Sequence, residues 1–323
     1  MFDVTTYITA SAFVGAGVCI GFGAIGSAIG EGLTAGKANE TLSYRPELSV
    51  EILKIMLVGQ AVAESAAIFA LVVALLMLFM DPVGKPLLAA WALIGGSLGM
   101  GLSAIGSGVG SGFVSADACE GIGRQPSAKG AISSQMLIGS AIAQTPAVLG
   151  MVIAFILMFI DCSTKPLYPY WAAYLGAGIS TGMAAIGPAM GEGYVAKKAC
   201  SGLARNPAVQ PKITTTMLVG MAVTESTAIY GFLVSLMLLF ITFPESTTIT
   251  KSFALLGAGC AMGFGGIGPG IGEGLTGSFA VTAVAKTPEK ASLFTRTMLV
   301  GQAVSESTGI YALIVALLLI MVV

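Results

Sequence analysis

The sequence predicts an all-α membrane protein of eight transmembrane helices, folded as four tandem helical hairpins and assembling into a closed ring. Three observations predict this. The 323 residues are 55% hydrophobic and only 10% charged, whereas a soluble domain carries about 25% charged residues. Eight apolar runs, at 8–36, 50–80, 87–116, 131–160, 170–198, 213–243, 252–282 and 294–322, each reach the ~20 residues that a spanning helix needs. The same motifs also return at a fixed interval. Open strands cannot satisfy their backbone in lipid, and no ten-residue alternating pattern is present, so helices are the only spanning element left.

The odd-numbered helices carry "GAIGSAIGEGL", "SAIGSGVGSGF", "AAIGPAMGEGY" and "GGIGPGIGEGL", whose equivalent positions are Glu31, Ser111, Glu192 and Glu273. The even-numbered helices carry Glu64, Gln144, Glu225 and Glu306 at the same steps of 80, 81 and 81 residues. Pro46, Pro126, Pro207 and Pro288 keep that spacing and sit midway between the two sets. The chain therefore divides into four hairpin units, 1–83, 84–164, 165–246 and 247–323. Each unit holds an even number of spans, so all four share one orientation, unlike the inverted repeats of many transporters.

Glycine weakens an isolated helix, so its density in the odd helices requires a packing reason. Small residues let backbones approach in lipid. Glycine on nearly every face implies a helix pressed from two sides, as in the inner wall of a ring. Only three of the fifteen basic residues, Lys85, Lys165 and Lys251, lie in the links between hairpins. The other twelve lie in or beside the proline loops, which places those loops on the cytoplasmic side and both termini outside. The opening "MFDVTTYITA" has no positive n-region, so the first helix is expected to be retained.

The composition excludes several functions. No basic cluster suits nucleic acid, and there is no histidine to bind a metal or shuttle protons near neutral pH. The five cysteines share no spacing and read as small buried residues. What remains is carboxylate chemistry. An acid at mid-membrane is costly and by default functional. Equal helical rise on both sides of the proline turn brings Glu31 level with Glu64, Glu192 with Glu225, and Glu273 with Glu306. Two such carboxyls share a proton or hold a cation. Ser65, Ser226 and Ser307 add hydroxyls beside them, and an all-oxygen setting suits a hard cation.

With these residues the chain resembles the rotor-ring c-subunit (proteolipid) of rotary ATP synthases along essentially its whole length. The resemblance rests on "GIGEG", on the "RQP", "RNP" and "KTP" loops with a shorter "RP" in the first hairpin, and on "GQAVAES" and "GQAVSESTGIY". It is closer to sodium-translocating F-type rings than to vacuolar proteolipids. It implies a non-catalytic rotor in the plasma membrane of a prokaryote, with Na+ as cargo and H+ as the alternative. Copies of itself, the stator a-subunit, the central stalk and membrane lipid would be its partners.

The resemblance also implies residue roles. Glu64, Glu225 and Glu306 would carry the ion, with Glu31, Glu192 and Glu273 as helix-one ligands. Ser65, Ser226 and Ser307 would give hydroxyls, Val62, Val223 and Val304 carbonyls, and Tyr230 and Tyr311 a phenol on the glutamate. Arg45, Arg124, Gln125, Pro126, Arg205, Asn206, Pro207 and Lys286 would contact the stalk. The first hairpin departs at Ala66 and Phe69, and its site is expected to bind more weakly. The second departs at Ser111, Gln144, Thr145, Pro146 and Leu149 and is expected to carry no ion. A vacuolar-type proteolipid of an ATP-driven pump is the nearest alternative. A self-contained channel would need a continuous polar path, and apart from Glu51 at its start the run that holds Glu64 has no further acid.

Overall fold

The computed structural model describes residues 3–245 and 249–321. The boundary between the third and fourth units at 246/247 and the extreme chain ends lie outside the described residues. Among the described residues all regular structure is helical. The helices are α1 (Val4–Tyr44), α2 (Ser49–Leu78), α3 (Leu88–Arg124), α4 (Lys129–Ala143), α5 (Thr145–Phe159) and α6 (Leu167–Ala184). They continue as α7 (Ile186–Arg205), α8 (Gln210–Thr224), α9 (Ser226–Phe240), α10 (Ile249–Lys286) and α11 (Ala291–Met321). Pairs α4–α5, α6–α7 and α8–α9 are single arms interrupted by one residue, so eight arms form four hairpins.

Each hairpin turn is set by its proline. The residue before it is driven out of helical geometry by the ring, with φ of −137° at Arg45 and Gln125, −145° at Asn206 and −138° at Thr287. The proline itself opens a single turn of 3-10 helix, where a missing N–H costs nothing. In the links between hairpins, Asp81 and Asp161 accept from the backbone N–H two residues on, at 3.0 and 2.9 Å. Those hydrogen bonds from Ser163 hold the Asp161 carboxyl below the ordinary aspartate range.

Two of the three interruptions have a proline behind them. Pro146 and Pro188 lack the N–H that residues 142 and 184 would have bonded, and the helix breaks at Gln144 and Ala185. The break at Glu225 has no proline, and α10 runs unbroken through Pro269. Among the described residues, seven of the eight arms are long and apolar enough to cross a membrane, and the protein is an integral membrane protein. The exception is the fifth arm, α6–α7. Its sequence is diluted by glycine and tyrosine because most of its surface meets protein rather than lipid. At about 60 Å, α1 exceeds the ~30 Å hydrocarbon layer and extends into the headgroups and water.

The glycine-rich arms form one inner row in the order α1, α3, α6–α7, α10, each packed directly on the next. The second arms of the hairpins, α2, α4–α5, α8–α9 and α11, pack outside that row and touch each other far less. A tight inner layer with a splayed outer layer is an arc. Its closest points are glycine against backbone. A Cβ on Gly112 would lie 2.2 Å from Gly30 Cα, one on Gly193 2.5 Å from the Gly110 carbonyl, and one on Gly274 2.1 Å from Gly191 Cα. Three successive interfaces thus repeat one contact, beside the helix-one acid position.

Candidate ion-binding site

Glu31 lies 13 residues before the end of α1 and Glu64 lies 15 residues after the start of α2. At 1.5 Å per residue both stand about 20 Å above the proline turn. The pairs Glu31–Glu64, Glu192–Glu225 and Glu273–Glu306 lie close enough to interact electrostatically. Glu192 and Glu273 are completely buried, and neither oxygen of either carboxyl has a hydrogen-bond partner. A buried carboxylate left without a donor is very costly, so each needs a proton or a cation. No group of three or more Asp, Glu, His or Cys that could hold a metal ion exists among the described residues. Any further ligands have to be hydroxyl or carbonyl oxygens.

Groups of that kind stand on the preceding hairpin. The Tyr230 hydroxyl, in the third hairpin, donates to Glu306 Oε1, in the fourth, at 2.6 Å. Tyr230 also lies within electrostatic reach of Glu273 and beside Ser226, whose Oγ is buried. Tyr230, Ser226, Glu273 and Glu306 therefore gather at one interface. Gln302, which sequence reasoning passed over, fastens the same place. Its Nε2 donates to the Gly220 carbonyl of the third hairpin at 2.8 Å and to the Glu273 carbonyl at 3.2 Å. Gln60, its equivalent, donates to the Glu31 carbonyl at 3.3 Å. The shared "GQAV" was the signal that marked this position.

The interface between the first and second hairpins has the same register and different chemistry. Gln144 Nε2 donates to Ser111 Oγ at 2.7 Å, to the Val62 carbonyl at 3.2 Å and to the Ser107 carbonyl at 3.3 Å. A neutral N–H group thus sits against the oxygens that a cation would otherwise meet. Ser65 Oγ meanwhile donates to the Val62 carbonyl at 2.6 Å. Val62 and Ser65 accordingly stand with Gln144, and Ser111 falls in the same interface. Ser27 was also missed. Its hydroxyl donates to the Ala63 carbonyl at 2.9 Å and accepts from the Ala67 N–H at 3.2 Å, bridging the ladder of α2.

The outer edges of the arc hold unpaired halves. Glu64 is exposed and Glu31 half-buried on one edge. On the other, Val304 is 69% and Tyr311 63% exposed, with Ser307 Oγ on the Val304 carbonyl at 2.7 Å. Val223 is half-buried inside the arc. Arg45, Arg124, Arg205 and Lys286 are exposed at the turn end, where Gln125, Pro126, Asn206 and Pro207 are half-buried.

The family model of the ATP synthase C-subunit matches the chain four times, at residues 14–77, 94–157, 175–238 and 256–319. The K-subunit of the A-type ATP synthase of Methanocaldococcus jannaschii is 28% identical over 230 residues, which is 71% of this chain and 96% of that protein. The ATP synthase c-subunit of Petrotoga mobilis is 56% identical over 68 residues, 21% of this chain and 71% of that protein. Its counterpart in Thermotoga petrophila is 52% identical over 68 residues, 21% of this chain and 80% of that protein. With every hairpin matched and paired carboxyls at each of three of them, the chain belongs to the ATP synthase C-subunit family, as four of its hairpins in tandem.

Proposed function

We propose that the chain is the ion-carrying subunit of an F-type rotor ring, binding Na+ at Glu64, Glu225 and Glu306 and turning ion passage into rotation. The observation that carries this reading is Glu273, fully buried with two unpartnered oxygens, beside a Glu306 already held by a phenol. A proton alone would leave the surrounding hydroxyl and carbonyl oxygens without a purpose; a sodium ion would use them. Copies of the chain close head to tail, because each edge of the arc presents the half-site that the other lacks. The stator a-subunit and the central stalk complete the machine, the stalk meeting Arg45, Arg124, Arg205 and Lys286. The turns face the cytoplasm of a prokaryotic cell, and the chain itself catalyses no reaction.

A carbodiimide modifies protonated carboxyls in apolar surroundings. In the purified ring, sodium at fixed pH is expected to slow modification of Glu64, Glu225 and Glu306. Modification that is indifferent to sodium over a broad concentration range leaves the proton as cargo. The extended match to an A-type ATP synthase K-subunit supports a second reading, the proteolipid of a rotary complex that is not F-type, such as an ATP-driven pump. The catalytic subunits that copurify with the ring separate the two.

A further inference from the structure

We infer that Gln60 is the amide that fastens one copy of the chain to the next, donating across the junction to the Gly301 carbonyl and the Ser305 hydroxyl of a second copy. The inference rests on the head-to-tail ring proposed above. Its basis is a pattern in the glutamines. Of the six, Gln125 and Gln210 lie at the proline turns, and Gln60, Gln135, Gln144 and Gln302 lie on the second arms. Gln135, Gln144 and Gln302 are buried, and each crosses a different junction within the chain. Gln144 of the second hairpin donates to the Val62 carbonyl of the first at 3.2 Å. Gln135 of the second accepts from Thr214 Oγ1 of the third at 2.7 Å. Gln302 of the fourth donates to the Gly220 carbonyl of the third at 2.8 Å and to Thr224 Oγ1 at 3.4 Å. Gln60 remains, half-buried on the free edge, with its amide on the Glu31 carbonyl of its own hairpin.

The repeat identifies what Gln60 would meet. Gln60 and Gln302 are equivalent positions, and the partners of Gln302, Gly220 and Thr224, correspond to Gly301 and Ser305 in the last hairpin. At every junction within the chain the glycine of this position lies against the hairpin that follows. A Cβ on Gly59 would lie 2.5 Å from Ser115 Cβ, one on Gly139 2.4 Å from Ala196 Cβ, and one on Gly220 3.6 Å from Gly277 Cα. A Cβ on Gly301 would meet only Thr276, in its own hairpin. Gly301 is half-exposed where Gly220 is buried, and Gln60 is half-buried where Gln302 is buried. An amide and a polar edge in apolar surroundings each carry a cost that their meeting removes. A second copy of this chain presents Gly301 and Ser305 to Gln60 in the register that Gln302 already shows.

The test is native mass spectrometry of the detergent-extracted full chain against temperature, for the unmodified protein and for Gln60→Leu, Gln302→Leu and Ser305→Ala. Gln60→Leu removes the donor at similar size. It is expected to raise the proportion of single chains about tenfold at a temperature that the unmodified ring withstands, the scale of a buried carbonyl left without its donor. Its helical circular dichroism is expected to be unchanged. Gln302→Leu is expected to release no more single chains than the unmodified protein, because the third and fourth hairpins are covalently joined. Ser305→Ala is expected to act in the same direction as Gln60→Leu, more weakly, and serves if Gln60→Leu does not fold. Combined with Gln60→Leu it is expected to add nothing, since both remove one contact. A Gln60→Leu ring that dissociates like the unmodified one overturns the inference and leaves the ring standing. Equal release from Gln60→Leu and Gln302→Leu, or full additivity with Ser305→Ala, also overturns it. An unmodified chain that gives no homo-oligomer overturns the ring itself.

Discussion

Gln144 concentrates the residue-scale argument, because one amide replaces the chemistry of a whole site. Its Nε2 satisfies Ser111 Oγ and the Val62 and Ser107 carbonyls together. Gln144→Ala removes that bridge from a buried place, and unsatisfied buried groups cost about 1–3 kcal/mol. The ring is expected to dissociate at a lower temperature on denaturing gels, while labelling of the three glutamates is unchanged. A gain in labelling would show that the amide does not close the interface. Gln144→Glu with Ser111→Glu is expected to create a fourth sodium-protectable carboxyl, since Val62 and Ser65 already stand there. The acids and their equal heights were legible in the sequence, because helical rise and the proline midpoint fix height. That Tyr230 serves Glu306 was not, because a sequence gives no direction in which hairpins follow one another around an axis.

At the scale of elements, the fold depends on backbones meeting where the glycines lie. Glycine density was legible, and so was its meaning as close packing. Which glycines bear contact was not. Gly193 is fixed against the Gly110 backbone, while Gly36 has open space where a Cβ would go. The other hairpins carry Ala116, Lys197 and Ser278 at the position of Gly36, so a side chain there is tolerated. Gly193→Ala is expected to separate the second and third hairpins and abolish ring recovery, since backbone cannot yield about 1 Å locally. Gly36→Ala is expected to assemble normally and gain up to about 1 kcal/mol of helix stability. Equal behaviour of the two variants in a thermal dissociation experiment would refute this account of the inner row. The arm breaks were legible only in part. Pro146 and Pro188 mark two of them, but the interruption at Glu225 has no residue that announces it, and Pro269 is absorbed into α10 without one.

The whole molecule is an arc with two unlike edges, and the proposed function depends on their meeting. On the proposed function, three carriers on four hairpins would move three ions each time the chain passes the stator. For fixed work per turn, the motive force needed rises by about a third over a ring with four, at roughly 2.3 kcal/mol per charge per 100 mV. On the same reading, one of the three sites would be complete only where a second copy brings Val304, Ser307 and Tyr311 to Glu31 and Glu64. Gly32 shows that place directly. Its equivalents Gly112, Gly193 and Gly274 each lie against the backbone of the preceding hairpin, yet nothing lies within 4 Å of a Cβ built on Gly32. The equivalent of Gly30, Gly110 and Gly191 in the last hairpin is Gly272, so a second copy would bring Gly272 to Gly32. Gln60 likewise has its bond to Glu31 but no counterpart of the Gly220 carbonyl that Gln302 reaches. Gly32→Leu is therefore expected to leave each chain folded, with unchanged helical circular dichroism, because the space within the chain is open. The same side chain would collide with backbone at every junction between copies. Native mass spectrometry is expected to show single chains where the unmodified protein gives one large homo-oligomer. A ring that survives Gly32→Leu would mean that the copies meet elsewhere, and that Glu64 is not completed by the far edge of a neighbour.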